Sequence, residues 1–303
     1  MPVIHGEKTA AQRFPGAANT FCIEAMMQDR KALQAGTSHF LGQNFAKASE
    51  IVYQTRDGGR EFAWTTSWGV STRLIGGMIM VHGDDDGMIM PPRLAPSHVA
   101  ILPIIRDDTD RVKTLQYCEE LAAMVRAQTY HGRPVGVVLD TRDMNAGEKG
   151  WEWIKKGIPV RAEIGPRDMA QNSVFVGRRD RGPRERFSQT REAFAAELGA
   201  LLDDVQRSLL ERARAYQAEH TRPIGTLDEF RAFFTPANAD KPELHGGFAL
   251  SHWCGDGACE AKVNDELSVT IRCVPLQREG EEPGACVVCG KPSPGRVVFA
   301  KAY

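Results

Sequence analysis

Two pairs of closely spaced cysteines near the C-terminus constrain the fold of this chain most. Four residues separate Cys254 from Cys259, and two separate Cys286 from Cys289. Each pair can supply two corners of a tetrahedron, the geometry that Zn²⁺ adopts in structural sites. Gly290 follows the second pair and permits the tight turn that directs two sulfurs at one ion. The spacing predicts that these four cysteines hold a structural Zn²⁺ in a small C-terminal unit.

Other interpretations of the seven cysteines remain open. The pairs could be redox-active or bind nothing, and Cys273 or His252 could replace one ligand. Cys22 and Cys118 are expected to be buried apolar residues. An odd number of cysteines, without a secretory signal at the start of the chain, favours reduced thiols and a cytoplasmic protein. The apolar stretch 74–81 is too short to cross a membrane, so no membrane association is expected.

The order of apolar and polar residues predicts three regions in the 303 residues. Asp57-Gly58-Gly59 lies between two apolar runs and predicts a β-hairpin in a first, antiparallel unit. Strands then alternate with helices from 98 to 164, which is typical of an α/β domain with a mainly parallel sheet. Apolar residues at spacings of three and four predict a long helix ending near Glu219. We expect boundaries at 1–94, 95–189 and 190–303, with the cysteine-rich unit last.

A basic segment follows the predicted α/β strands. Lys plus Arg (38) and Asp plus Glu (39) nearly cancel over the whole chain, so a nucleic-acid contact needs a local patch. Between 178 and 186 the charge is +3, and a phosphate backbone would be attracted to it. A solvated loop is the alternative. The five arginines are Arg178, Arg179, Arg181, Arg184 and Arg186.

The segment from Gln34 to Phe45 is rich in small, hydroxyl, amide and imidazole groups and has little apolar periodicity. Core packing does not explain such a composition. Polar groups that converge from neighbouring strands suit recognition of a small zwitterion or a nucleotide. His39 taken alone would more often be a hydrogen-bonded structural residue.

The order of these motifs resembles the C-terminal three-fifths of class II prolyl-tRNA synthetases. The resemblance runs from Pro2 to Tyr303. The segments that carry it are Pro2-Val3-Ile4 with Gly6, 20–25, 36–45, Ser67-Trp68-Gly69-Val70-Ser71-Thr72-Arg73, His82-Gly83-Asp84, Pro91-Pro92-Arg93, Gly147-Glu148-Lys149, Gly165-Pro166-Arg167-Asp168, the paired cysteines and Phe299-Ala300-Lys301-Ala302-Tyr303.

The resemblance implies a function for each part of the first region. The 67–73 segment is similar to motif 3 of the family, which makes Arg73 the catalytic arginine that meets the ATP phosphates. A guanidinium suits that role because it stays charged and binds phosphate oxygens in a planar, bidentate manner. The implied ATP-binding residues are Gln34, Ser71 and Arg73. The implied substrate-binding residues are Phe14, Glu24, Thr37, His39, Trp68 and Tyr303.

The other two regions resemble the anticodon-binding domain and the zinc-containing C-terminal domain of the family. The implied fold is a partial class II antiparallel-sheet catalytic domain, an α/β anticodon-binding domain and a small α+β zinc-binding domain. Tyr303 matches a terminal tyrosine that reaches towards the active site in this type of enzyme. The implied tRNA-binding residues are Lys149, Glu163, Arg167, Asp168, Arg178 and Arg179.

Motifs 1 and 2 of the family lie upstream of the first residue of this sequence. The expected function is therefore that of a prolyl-tRNA synthetase present as a C-terminal fragment, with ATP and proline as substrates, Mg²⁺ as a cofactor and the tRNA for proline as partner. A homodimer is expected for the complete enzyme. The alternative is a non-catalytic tRNA-binding or regulatory paralogue. No Gly-rich phosphate-binding loop of the Walker type occurs.

Overall fold

The computed structural model describes residues 1–105, 109–236, 238, 246–277 and 282–303. The chain forms two compact units, of which the first combines 1–81 with 214–303 and the second spans 82–213. Eight α-helices and one short 3₁₀ turn at Ala10–Gln12 occur in the described residues. The helices are α1 Asn44–Ala48, α2 Arg73–His82, α3 Arg111–Arg126, α4 Ala146–Lys155, α5 Pro166–Ala170, α6 Arg191–Glu219, α7 Leu227–Phe234 and α8 Gly257–Leu267.

The same residues form nineteen strands. They are β1 Ile4–Glu7, β2 Asn19–Met26, β3 Ala32–Gly42, β4 Val52–Gln54, β5 Arg60–Phe62, β6 Thr65–Gly69, β7 Val99–Pro103, β8 Thr129–Tyr130, β9 Arg133–Pro134, β10 Val137–Leu139, β11 Val160–Ile164, β12 Ser173–Arg178, β13 Arg186–Thr190, β14 Thr221–Pro223, β15 Phe248–His252, β16 Thr270–Pro275, β17 Gly284–Ala285, β18 Pro292–Ser293 and β19 Arg296–Ala300.

The first unit is built on one eight-stranded sheet. Its strand order is β14-β15-β19-β16-β1-β2-β3-β6. β1 joins the two parts of the chain, because it pairs with β2 on one side and with β16 on the other. Strands from the segments predicted as the first and third domains therefore share a sheet. The boundaries at 94 and 189 stay predictions.

Local sequence explains the elements around this sheet. β4 and β5 pair as an antiparallel hairpin, and the turn between them uses Gly58 at a φ of 86°, which an Asp-Gly turn accommodates. The predicted hairpin is confirmed. α2 begins at Arg73 and packs against the sheet through Gly77, where an added Cβ would lie 2.6 Å from a methyl carbon of Leu33. Glycine at that position permits the close approach of helix and sheet.

The second unit contains a five-stranded sheet in the order β10-β7-β11-β12-β13. β10, β7 and β11 are parallel, whereas β12 pairs antiparallel with both β11 and β13. The sheet is therefore mixed: the predicted parallel arrangement is found in β10, β7 and β11, whereas β12 interrupts it. β12 follows β11 after the short helix α5 and a tight turn, and so short a connection returns the chain antiparallel.

One face of this five-stranded sheet is buried by two helices. Apolar side chains of β7, β11 and β12 form a core with side chains of α3 and α6. Val160, Ala162 and Ile164 alternate into this core, so Arg161 and Glu163 lie on the other face.

In the described part of the chain, no helix combines the length and hydropathy needed to cross a membrane.

Candidate functional site

The predicted ligand-binding residues can be assigned to the two faces of the eight-stranded sheet. Residues directly opposite in an antiparallel pair point to the same side. Thr20 pairs with His39, and Cys22 pairs with Thr37, so these four residues share one face. We call it the front face, and the opposite one the back face.

A β-bulge brings Gln34 to the front face. Ile23 pairs with Gly36, but the next residue of β2, Glu24, pairs with Gln34, which leaves Ala35 as the extra residue. In a regular strand Gln34 would point away from Thr37, because it lies three positions before it and side chains alternate between the two faces. The bulge reverses that parity. Gln34 therefore shares the front face with Glu24 and Thr37.

An aromatic and hydroxyl cluster surrounds His39 on this face. The His39 ring lies 4.8 Å from that of Phe14, measured between centroids. The Thr20 hydroxyl is 3.0 Å from Nδ1 of His39 and accepts a hydrogen bond of 3.3 Å from the Phe14 amide. Thr20 was not predicted as a site residue. Its position opposite His39 is the signal that could have identified it.

The start of α2 presents an unpaired cation. The Ser71 hydroxyl accepts a hydrogen bond of 3.3 Å from the Arg73 amide, which fixes the first turn of the helix. The Arg73 side chain is exposed and has no hydrogen bond or ion pair with any residue of the described part of the chain. A free guanidinium at a helix start can bind an anion such as a phosphate.

Glu24 is fully buried in an ionic cluster that the sequence did not predict. Its carboxylate accepts hydrogen bonds from Lys8 Nζ at 2.7 Å and from Arg272 Nε and Nη2 at 3.2 and 3.1 Å. Lys8 also donates to the backbone carbonyl of Arg272 at 2.6 Å. These bonds engage Glu24 within the protein. We therefore assign Glu24 a structural role beside Gln34 rather than a direct contact with substrate.

The structure does not bring two other predicted substrate-binding residues to the His39 cluster. Trp68 pairs with Ser38, so its side chain lies on the back face. The Tyr303 hydroxyl donates to Asp29, and its ring lies under the Lys31 ammonium. These contacts hold Tyr303 beside the start of β3. The start of β3 lies five residues, or about 17 Å along the strand, before Thr37.

The four predicted zinc ligands converge in the first unit. The sulfurs of Cys254, Cys259, Cys286 and Cys289 all lie within 4.8 Å of one another. Cys254 Sγ is 3.8 Å from Cys259 Sγ and 3.6 Å from Cys289 Sγ. A tetrahedral ion with Zn–S bonds of ~2.3 Å requires S···S distances of about 3.8 Å.

The surroundings of the sulfurs differ from one cysteine to another. Burial raises the pKa of Cys259, whereas the backbone at Lys291 lowers the pKa of Cys289 to about 7. Cys273 is buried in β16 and His252 lies beside the Ser293 hydroxyl, so neither belongs to the cluster. Cys22 and Cys118 are buried, as predicted. The residues present fit a Cys₄ zinc site.

The predicted tRNA-binding residues of the second unit separate into two groups. Arg167 and Asp168 line a cavity of 180 Å³ beyond the end of β11, together with Ile104 and Gly165. Asp168 also caps α5 by accepting a 2.9 Å hydrogen bond from the Gly165 amide. Glu163 is nearby in β11. This end of the sheet offers an exposed cation to a ligand, beside two carboxylates that already accept hydrogen bonds from Arg186 and from the Gly165 amide.

The remaining candidates are engaged by other groups of the protein. Lys149 is buried and donates to the Asp140 carbonyl at 3.2 Å. Arg179 is also buried and binds both carboxylate oxygens of Asp84. These interactions leave neither Lys149 nor Arg179 available for an exposed nucleic-acid contact.

Arg178 lies at the opposite end of the sheet from Glu163, because it pairs with Val160. Its guanidinium binds Asp180 at 2.8 and 2.9 Å and Asp204 at 2.6 Å. The cationic patch predicted from the sequence is therefore partly neutralised. Arg181 and Arg184 are its exposed members, and Arg186 forms an ion pair of 3.0 Å with Glu163.

Comparison with known proteins gives these sites a common context. The profile of the family "Prolyl-tRNA synthetase, C-terminal" matches residues 241–303, and that of the family "Anticodon binding domain" matches 98–201. The whole chain is 58% identical to proline–tRNA ligase 2 of Anaeromyxobacter dehalogenans. The chain matches the prolyl-tRNA synthetase family along its whole length. It corresponds to the C-terminal part of that family.

Further relatives agree with this assignment. The chain is 54% identical to a proline–tRNA ligase of Bdellovibrio bacteriovorus and 49% identical to one of Protochlamydia amoebophila, again over its whole length. It covers 60% of the length of each of these three relatives. The recognised resemblance to this family is confirmed.

Proposed function

We propose that this chain is the part of a proline–tRNA ligase that binds proline, contacts ATP through motif 3 and binds the tRNA for proline. The convergence of Phe14, Gln34, Thr37 and His39 on the front face carries this proposal. Catalysis requires the additional portion that the relatives possess.

The reaction needs no protein nucleophile. A carboxylate oxygen of proline attacks the α-phosphorus of ATP, forming prolyl-adenylate and releasing pyrophosphate. A terminal ribose hydroxyl of the tRNA then attacks the carbonyl carbon of the adenylate, forming prolyl-tRNA and releasing AMP. The protein accelerates both steps by positioning the reactants and stabilising charge.

Arg73 would contribute this charge stabilisation. Its guanidinium is unpaired within the described residues, so it can bind phosphate oxygens without first breaking an ion pair. Gln34 and Ser71 would bind the nucleotide as hydrogen-bonding groups. When bound with ATP, Mg²⁺ would offset negative charge on the phosphates.

Proline presents an apolar ring and a charged secondary amine. The Phe14 ring can cover the apolar faces of that ring, and the hydroxyl of Thr37 can accept a hydrogen bond from the amine. Thr20 holds the His39 imidazole in place through the 3.0 Å contact with its Nδ1. The pocket therefore combines one aromatic wall with hydrogen-bonding groups of fixed orientation.

The second unit would bind the anticodon region of the tRNA. Carboxylates can accept hydrogen bonds from donor groups on exposed base edges, and an exposed guanidinium can bind phosphate or stack on a base. Glu163, Arg167 and Asp168 are the residues best placed for these contacts. Arg181 and Arg184 replace Arg178 and Arg179 as the proposed phosphate contacts.

The cysteine cluster would hold a structural Zn²⁺. All four ligand positions are thiols, so no open position remains for a substrate or water. When bound, the ion would crosslink the segment around Cys254 to the segment around Cys286 and stabilise the fold.

Binding of transcribed tRNAs tests the proposal on the chain alone. We expect the tRNA for proline to bind more tightly than a transcript with an altered anticodon, and Arg167→Ala to weaken binding at least tenfold. Arg126→Ala is the matched control, because Arg126 lies at the end of α3, outside the proposed surface. Equal affinity for both transcripts would refute the proposed function.

A non-catalytic tRNA-binding protein is the second candidate. It is favoured by the length of the chain, which covers only 60% of the length of the proline–tRNA ligases that it matches. It predicts the same tRNA binding, but no proline-dependent ATP chemistry when the additional portion of a relative is supplied.

A further inference from the structure

Two cysteines outside the metal cluster lie side by side in the sheet of the first unit. Cys22 is in β2 and Cys273 is in β16, and β1 runs between these strands. Both thiols are buried, with Cys22 4% exposed, and both belong to one apolar cluster on the sheet. Neither the zinc site nor the proposed reaction uses them.

Gly6 of β1 allows the two cysteines to meet. It pairs directly with Cys22, so a side chain at Gly6 would lie beside Cys22 on the front face. The Cys273 side chain occupies that space instead, because an added Cβ at Gly6 would lie 2.4 Å from Cys273 Cβ and 2.6 Å from Cys273 Sγ. A hydrogen bond joins the two thiols. The glycine thereby lets a residue of β16 reach over β1 to β2.

The surroundings make the two thiols unequal in reactivity. The hydrogen bond from Cys273 lowers the pKa of the Cys22 thiol. The cations of Lys8 and Arg272 lower the pKa further, against the effects of burial and of the Glu24 carboxylate. The same hydrogen bond, together with burial, raises the pKa of Cys273. Because the thiolate is the reactive form of cysteine, Cys22 is the nucleophile of the pair.

We propose that Cys22 and Cys273 are a peroxide-sensitive thiol pair, which oxidation converts into a disulfide bond between β2 and β16. The Cys22 thiolate attacks one oxygen of hydrogen peroxide, the O–O bond breaks and hydroxide leaves, so the sulfur becomes a sulfenic acid. The Cys273 sulfur then attacks the sulfenic sulfur, and the displaced hydroxyl group leaves as water with the proton of the Cys273 thiol. In total the two thiols lose two electrons and two protons, and peroxide is reduced to two molecules of water.

The disulfide bond would join two distant parts of the sequence. β2 belongs to the segment 1–81 and β16 to the segment 214–303, which together form the first unit. The two sulfurs of a disulfide are about 2.0 Å apart, so thiols that already share a hydrogen bond need side-chain rotation rather than a rearrangement of strands. Cys118 provides a contrast, since burial raises its pKa to about 12 and its core cluster contains no second cysteine among the described residues.

Peptide mass spectrometry after peroxide treatment tests this assignment. The folded chain, purified without chelator, is treated with a small excess of hydrogen peroxide, then alkylated with iodoacetamide in urea and digested without reductant. We expect a linked pair of peptides that contains Cys22 and Cys273, at least tenfold above its level in untreated protein and separated by dithiothreitol. Cys118 should remain alkylated.

Three alanine variants test the order of the two steps. In Cys273→Ala the link cannot form, so Cys22 should accumulate as sulfenic acid, which dimedone traps. In Cys22→Ala, Cys273 should stay reduced. Cys118→Ala is the matched control, because it removes a buried thiol outside the pair and should leave the Cys22–Cys273 link unchanged. The measurement on the unmodified chain does not depend on how well any variant folds.

Three results would overturn the inference. The pair could form no link in the folded chain and form one only after unfolding in urea, which would show that the buried thiols are inert. Cys118 could be oxidised as extensively as Cys22, which would show that peroxide reacts with every buried thiol alike. Cys22 could instead be linked to a cysteine of the metal cluster. None of these measurements depends on catalysis or tRNA binding, so the inference and the proposed function can fail separately.

Discussion

Replacement of Glu24 by glutamine tests whether the buried ionic cluster stabilises the sheet that carries the candidate site. Glu24 is fully buried and accepts charge-assisted hydrogen bonds from Lys8 and Arg272. Glutamine keeps the size of the side chain but leaves two buried cations without a counter-charge. Breaking a buried ion pair in this way costs about 3–5 kcal/mol.

The matched control is Glu7→Gln in the neighbouring strand. Glu7 lies 3.8 Å from Arg13, and their side chains are 37% and 30% exposed. Partly exposed pairs at such distances contribute about 0–1 kcal/mol. Both carboxylates belong to the same sheet, so the comparison isolates the effect of burial.

Urea denaturation followed by circular dichroism measures the difference. With an m-value of about 2 kcal/mol/M, Glu24→Gln should lower the unfolding midpoint of the first unit by about 2 M. Amide exchange in β1 and β2 assigns the transition to this unit. If Glu24→Gln and Glu7→Gln lower the midpoint equally, Glu24 does not stabilise the fold, and a direct role in substrate binding becomes the better explanation.

Three further predictions concern the metal, the basic segment and pH. Protein purified without chelator should contain about one Zn²⁺ by elemental analysis, and Cys286→Ser should lose it; metal-free wild type of unchanged stability would contradict this. Arg178→Ala should mainly lower the unfolding midpoint in denaturation. Arg184→Ala should instead mainly weaken tRNA binding, as measured by filter binding. Burial lowers the pKa of His82 to about 4. Its neutral form is therefore favoured in the folded state, and stability should fall as pH decreases from about 6.5 to 4. His82→Gln should reduce this slope in pH-dependent denaturation.

The spacing of residues close together in the sequence predicted those features of the structure that a few residues determine by themselves. Two cysteine pairs of fixed spacing need only one turn each to direct their sulfurs at a common point, and the structure brings all four together. The Asp57-Gly58 turn likewise sets its own hairpin. The segment 34–45, which its polar composition singled out, includes residues 34–42 of β3, and the roles of Gln34, Thr37 and His39 in binding stay predictions.

Long-range pairing determined what the sequence could not predict. Arg179 binds an aspartate 95 positions away, and Arg272 binds Glu24 across 248 positions. A charge count along the chain contains no information about such partners. The sequence also did not show which face of the sheet each side chain of β3 is on. A single bulged residue, Ala35, places Gln34 on the same face as Thr37.

Proline-dependent exchange of pyrophosphate into ATP tests the central claim most directly. The assay compares the chain alone, the chain extended by the additional portion of the Anaeromyxobacter dehalogenans ligase, and the extended chain with Arg73→Ala. We predict negligible exchange by the chain alone, clear proline-dependent exchange by the extended chain and a loss of at least 100-fold, or about 2.7 kcal/mol, with Arg73→Ala. Proline-independent exchange, or full activity of the Arg73→Ala variant, would contradict the account.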